Sequence, residues 1–183
     1  MRYIVIIGHT YLSQGASYEN GWLTEYQYNN MIATDISCIL SEKGHECIVV
    51  VKDDLTHKDL VELVDYQEPK AIIELHCNAY DEKAGERDAF GTETLFTRNN
   101  PRSGELARKL QVCLTKALGR KGKGNRGVKL LSNKKQRGYR NLIDYKAPAC
   151  IVEPFFIDYK EDVLLGFKEM GKIVNAIVQG SIS

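Results

Sequence analysis

Four residues far apart in the chain, His9, Glu25, His76 and Glu153, are of the types that hold a metal ion and move protons. Two imidazoles and a carboxylate, with a fourth position left to water, make the ligand count of a catalytic zinc site; structural sites close all four positions with protein ligands, often cysteine. Zinc lowers the pKa of a bound water to about 7 and polarises a carbonyl. A carboxylate that is not a ligand can take the water's proton and return it to a leaving amine. His9, Glu25 and His76 as ligands with Glu153 as base meet that requirement. Each residue also has an ordinary alternative. The histidines suit hydrogen-bonded strand ends, Glu25 suits a helix N-terminus, and Glu153 before Pro154 suits an exposed strand end. By themselves the residues point to a site and leave the metal open.

Three of the four stand at the carboxyl ends of expected strands, where open α/β sheets form their binding crevice. Residues 3–7 are a nearly continuous aliphatic run, the pattern of a strand buried on both faces, and His9 follows it. Residues 71–76 end in His76, and residues 149–153, between Pro148 and Pro154, end in Glu153. A helix is expected over 21–43, stopped by Gly44. Steps of four and three through Glu25, Asn29, Ile32, Ile36 and Ile39 put Glu25 at the top of its buried stripe. Further strands are expected over 47–51 and 91–97, the latter antiparallel or at an edge, with a short one at Leu142 and Ile143. Helices are expected from an N-cap at Thr56 to Tyr66, over 103–118, and over 160–179. Alternating strands and helices without a linker or repeat imply one α/β domain over residues 1–183, a twisted, mainly parallel sheet with helices on both faces.

A 183-residue chain with 43% hydrophobic and 27% charged residues excludes a disordered chain, a collagen-like repeat and a disulfide-stapled miniprotein. The longest aliphatic runs fall far short of the ~20 residues of a membrane span, so no membrane insertion is expected. Net charge +1 gives no bias toward polyanions, and no nucleic-acid partner is expected. One local patch stands out. Between Arg120 and Arg140 there are nine basic residues and no acidic one (Arg120, Lys121, Lys123, Arg126, Lys129, Lys134, Lys135, Arg137, Arg140), on what reads as a Gly-rich loop. Five scattered cysteines read as reduced core residues, and Cys77, next to His76 on a strand, should face away from it into the core. His45 and His57 read as surface residues. Trp22 and Tyr26 suit either a substrate groove or the core, and Asn78 either substrate contact or a turn. The N-terminus carries no signal-peptide pattern, so synthesis as a cytosolic chain is expected.

The sequence resembles the zinc-dependent N-acetylmuramoyl-L-alanine amidases, and more narrowly the catalytic domains of bacteriophage endolysins of that family. The resemblance rests on Gly8-His9, on Asn20-Gly21 with Glu25-Tyr26-Gln27-Tyr28-Asn29, on Glu74-Leu75-His76-Cys77-Asn78-Ala79, and on Cys150 through Phe156, in order along nearly the whole chain. It implies zinc held by His9, Glu25 and His76, with Glu153 as the catalytic glutamate. It also implies hydrolysis of the amide between the lactyl group of N-acetylmuramic acid and L-alanine in peptidoglycan. Further expectations are accumulation in the host cytoplasm until the membrane is opened, a monomer, no separate wall-binding domain in this chain, and attraction of anionic wall polymers to Arg120 through Arg140. Thr10 replaces a second glycine common in the family, and Pro154 stiffens the backbone after Glu153. Two other readings stand beside this one: a zinc peptidase cutting a stem-peptide bond, and a non-catalytic wall- or polyanion-binding module.

Overall fold

The aliphatic run near the N-terminus forms β1 (Arg2–Ile7), buried from Tyr3 onward, one strand in from the edge of a six-stranded sheet. The computed structural model describes residues 1–80 and 89–183. After β1 come two short strands, β2 (Ser17–Tyr18) and β3 (Leu23–Thr24), paired antiparallel with each other. Helix α1 (Glu25–Glu42) follows, then β4 (Glu46–Val50), α2 (His57–Tyr66) and β5 (Ala71–Leu75). The second half holds β6 (Thr92–Phe96), α3 (Ser103–Ala117), β7 (Asn125–Leu130), α4 (Tyr139–Leu142), β8 (Ala149–Glu153), α5 (Lys160–Lys168) and α6 (Met170–Ile182). Among these no helix is long and apolar enough to cross a membrane.

The sheet order is β4-β1-β5-β8-β6-β7. The first four strands run parallel, β6 is antiparallel to β8, and β7 is parallel to β6. Two apolar layers cover it. Helices α1, α3 and α6 pack on one face around Val5, Ile73 and Val152, whereas α2 and α4 cover Ile4, Ile6, Ile72 and Ile151 on the other. Alternation along the strands produces this division, since successive side chains point to opposite faces. Each fully buried Ile or Leu contributes about 1.5–3 kcal/mol. The expected mainly parallel α/β architecture is therefore the one observed.

Four local expectations are corrected. Helix α1 opens at Glu25, four residues later than its periodicity suggested. Thr24 caps it: its Oγ1 accepts from the Gln27 N–H at 3.2 Å, and the Gln27 side chain accepts from the Thr24 N–H at 2.9 Å. The basic segment is not a loop throughout, because β7 lies within it and takes the sheet edge that β6 would otherwise occupy. Leu142 lies in the helical turn α4, not in a strand, and is buried against the sheet. The C-terminal helix is broken at Glu169 (φ −108°, ψ 17°) although its apolar spacing runs straight through. Near the break the Tyr28 hydroxyl donates to the Gly166 carbonyl at 3.0 Å, the acceptor that residue 170 would use in an unbroken helix.

Asp162, on the first turn of α5 and 1% exposed, ties the segment after β8 to the start of β6. Its Oδ2 accepts from the N–H groups of Gly91 (2.9 Å) and Phe156 (3.0 Å), and its Oδ1 pairs with Arg120. Removing one partner of a buried pair leaves the other charged and dry. Asp162→Ala is expected to lose about 3–5 kcal/mol in urea unfolding. A loss under 1 kcal/mol would show that Arg120 finds water instead.

Candidate active site

The four residues singled out from the sequence line one cleft of about 400 Å³, beyond the carboxyl ends of β1, β5 and β8. Glu25 is its hub, 1% exposed on the first turn of α1. One oxygen, Oε1, accepts from the Ala16 N–H at 3.0 Å, and the other, Oε2, from the Cys77 N–H at 3.1 Å. That same Oε2 lies 3.2 Å from His9 Nε2 and 3.3 Å from His76 Nδ1. Helix α1 is held in place for this by Asn29, which donates to the Leu75 carbonyl at 2.9 Å just before His76.

Two glycines allow the imidazoles in. A Cβ on Gly8 would lie 2.2 Å from the Leu75 carbonyl oxygen and 2.8 Å from the His76 ring, and one on Gly15 would lie 2.6 Å from the His9 ring. His9 itself adopts φ 68°, a conformation that non-glycine residues seldom take and that is often stored at functional sites. It turns the ring back over the cleft, where the two imidazoles meet edge to face at 4.9 Å.

The donor set fits a metal. The ligand atoms of His9, Glu25 and His76 all lie within 4.8 Å of one another, the group of this kind found among the described residues. His9 Nε2 is buried and has no hydrogen-bond partner despite its nearness to Glu25. A buried ring nitrogen left without a partner in this way is costly unless something takes it up. Two neutral imidazoles and one carboxylate fit zinc and leave a position open. Burial works against charge on Glu25, but the His76 hydrogen bond and the closeness of the His9 ring outweigh it and hold its carboxyl far below the usual range. Burial likewise works against charge on His76, yet its bonds to Glu25 and Glu74 push it up to about 9.

Glu153 closes β8 and faces the same cleft. Burial first, then the neighbouring Glu93 carboxylate, push it up to about 8, while His76 pulls the other way. Glu93 is its partner across the antiparallel β6–β8 pair. The Glu93 oxygens are in turn occupied, accepting from Asn78 Nδ2 at 2.6 Å and Arg126 Nε at 2.7 Å. Sequence reasoning missed Glu93 and Glu74. The available signal was a carboxylate inside a strand whose neighbours are buried, since such a group needs partners.

The remaining candidates divide. Cys77 is buried on the α1 side of the sheet, as expected, with its thiol pushed up by burial and by the charges of Glu25 and Glu153. All five cysteines are free, but only Cys77 and Cys150 are buried, and Cys38 is exposed, contrary to a core role for all. Asn78 lines the cleft and also shapes the turn: its Oδ1 accepts from the Ala79 N–H, its backbone pairs with Phe155 and Ile157, and its amide holds Glu93. Trp22 is 66% exposed against Tyr18 and Phe167, and neither it nor Tyr26 lines the cleft. His57 is a surface residue paired with Asp144, whereas His45 is half-buried against Tyr3. Of the nine basic residues, Arg120 and Arg126 are taken by Asp162 and Glu93, and the other seven are exposed, Arg137 at the cleft.

Solved structures share this fold. The catalytic domain of CwlV, an N-acetylmuramoyl-L-alanine amidase from Bacillus (Paenibacillus) polymyxa var. colistinus, matches with a TM-score of 0.80 at 20% identity, over 98% of this chain and 96% of that one. An N-acetylmuramoyl-L-alanine amidase from Clostridium difficile 630 gives 0.82 at 22%, over 98% and 93%. The catalytic domain of the CD27L endolysin, which targets Clostridia difficile, gives 0.79 at 25%, over 100% and 97%. No curated protein sequence matches. The sequence profile named Amidase_3, N-acetylmuramoyl-L-alanine amidase, matches residues 4–181, a span that takes in every strand end of the cleft. The chain thus belongs to the N-acetylmuramoyl-L-alanine amidase family, enzymes that hydrolyse the bacterial cell wall.

Proposed function

We propose that this chain is a zinc-dependent amidase cutting the bond between N-acetylmuramic acid and L-alanine, with His9, Glu25 and His76 as metal ligands and Glu153 as general base and acid. The observation that carries it is the convergence of His9, Glu25 and His76 on one focus, with Glu153 on the wall of the same cleft. When bound there, zinc supplies Lewis acidity to the scissile carbonyl and to a water at neutral pH. The chain's own residues do the rest. Glu25 spaces the imidazoles, Gly8 and Gly15 leave them room, and Glu153 takes a proton from the attacking water and delivers it to the leaving amine. Burial keeps the Glu153 carboxyl within reach of both protonation states near neutral pH.

The test is digestion of purified peptidoglycan by the chelated chain with and without added zinc. New N-termini that are L-alanine, seen only with zinc, are expected. New N-termini further along the stem peptide would favour the peptidase reading instead.

As a base, Glu153 works unprotonated, so activity rises with pH through its pKa. Glu93 raises that pKa, and Glu93→Gln removes the charge and leaves Arg126 beside the cleft. The acid limb of the pH–rate profile is expected to move to lower pH in Glu93→Gln. A limb that stays or moves up would remove Glu153 as its source.

We further infer a phage endolysin role, in which the chain accumulates in the host cytoplasm until the membrane is opened. Its support is the 25% identity with the CD27L catalytic domain over the whole chain. On this reading the seven exposed basic residues, rather than all nine, attract anionic wall polymers. Wall binding should then weaken as salt shortens the Debye length below about 10 Å, and neutralising Lys121, Lys123, Lys134 and Lys135 should remove that dependence.

A further inference from the structure

We propose that Glu74, held by Lys52 and Asn141, is the positioning residue that fixes the His76 ring for metal binding. The inference rests on the zinc reading above and concerns residues outside the ligand set. Glu74 is 1% exposed in the middle strand of the sheet, a costly place for a carboxylate unless its oxygens are used. Three donors converge on its Oε1: Lys52 Nζ at 2.7 Å, Asn141 Nδ2 at 2.8 Å and His76 Nε2 at 3.0 Å. The His76 ring is thus gripped from both sides, with Nε2 on Glu74 and Nδ1 turned to Glu25 Oε2 at 3.3 Å.

The chemistry follows from the two ring nitrogens. An oxygen already accepting from an ammonium and an amide can only accept again, so the His76 Nε2 carries the hydrogen. The lone pair of the neutral ring then sits on Nδ1, the nitrogen that faces His9 and Glu25. A carboxylate on the far nitrogen of a metal-bound histidine sets the tautomer and ring orientation and makes the ring a better ligand.

The elements agree with this role. Glu74 and His76 are two residues apart, so the strand's period places both on the same face. Lys52 lies just past the end of β4, on the far side of β1, and reaches across to Glu74. Asn141 arrives from the opposite direction on α4, the turn that the sequence had suggested was a strand. What separates Glu74 from a carboxylate that only holds the fold, such as Asp162 with its three partners, is the contact with the His76 ring.

The experiment is zinc affinity, measured by competition with a chromophoric chelator, for wild type, Glu74→Gln and Asn141→Ala. Long-range ¹H–¹⁵N spectra of the His76 ring accompany it. Wild type is expected to bind one zinc with the hydrogen on Nε2. Glu74→Gln is expected to bind about 10–100-fold more weakly with its far-ultraviolet spectrum unchanged, and Asn141→Ala a few-fold more weakly. Wild-type affinity in a folded Glu74→Gln, or a zinc-bound wild-type ring with the hydrogen on Nδ1, would overturn the positioning role while leaving the zinc reading intact. If Glu74→Gln does not fold, wild-type affinity in Asn141→Ala would overturn it. A wild-type chain that takes up no zinc would overturn the zinc reading, and this inference with it.

Discussion

Glu153→Gln is expected to lower kcat on purified peptidoglycan by about 10²- to 10⁴-fold, the range of a lost general acid–base group. Its zinc content should remain one per chain, because Glu153 is outside the His9, Glu25 and His76 group. The glutamine keeps the shape of the side chain but can neither take nor deliver the proton. Folding raises the Glu153 pKa from 4.5 to about 8, so the neutral carboxyl favours the native state at low pH, and this contribution is lost as pH rises from about 4.5 to 8. Glu153→Gln carries no such charge. The zinc-free variant should therefore unfold at a higher temperature than zinc-free wild type above pH 8, while being far less active. Activity within tenfold of wild type would remove Glu153 from the chemistry. A less stable variant at high pH would show that the charged carboxyl is well satisfied.

Adding zinc to the chelated wild type is expected to raise its Tm by roughly 8–16 °C at a free concentration about 1,000 times Kd. The figure follows from linkage, which gives ~4.1 kcal/mol at that excess, and from the ~2–4 °C per kcal/mol typical of a chain of this size. His9→Asn is the variant to set beside it. Asparagine tolerates the left-handed backbone at this position (φ 68°) better than most residues, so the loop should survive while the imidazole is lost. The variant should show little zinc-induced stabilisation and only background amidase activity. An equal thermal shift in both proteins would mean that zinc binds elsewhere. The buried, unbonded His9 Nε2 makes the loss of this ring a sensitive probe of the proposed site.

Helix ends were legible where capping residues were local. Thr56 with Asp59 opens α2 as expected, and Gly44 (φ 77°) follows α1 as expected. The start of α1 was missed by four residues because apolar spacing does not mark an N-terminus, whereas the Thr24–Gln27 capping box does. The break at Glu169 was invisible because Val163, Phe167, Met170 and Val174 keep helical spacing on both sides of it. What bears on that turn is Tyr28, 138 residues earlier in the chain.

Residue types and periodicity alone place the features that matter most along the chain: histidine after the first strand, histidine and glutamate at the ends of two others, and a glutamate at the head of a buried helical stripe. Those features depend on periodicity and residue type, which are local. The tertiary structure decided which polar groups surround them. Glu93 meets Glu153 only because β6 runs antiparallel to β8, and Arg126 is drawn from the basic segment to Glu93 because β7 covers that edge. Lys52 and Asn141 reach Glu74 from separate elements, one across β1 and one from α4. A buried charge must be satisfied, but its partner can come from any element folded within hydrogen-bond reach, and no spacing along the chain encodes which one.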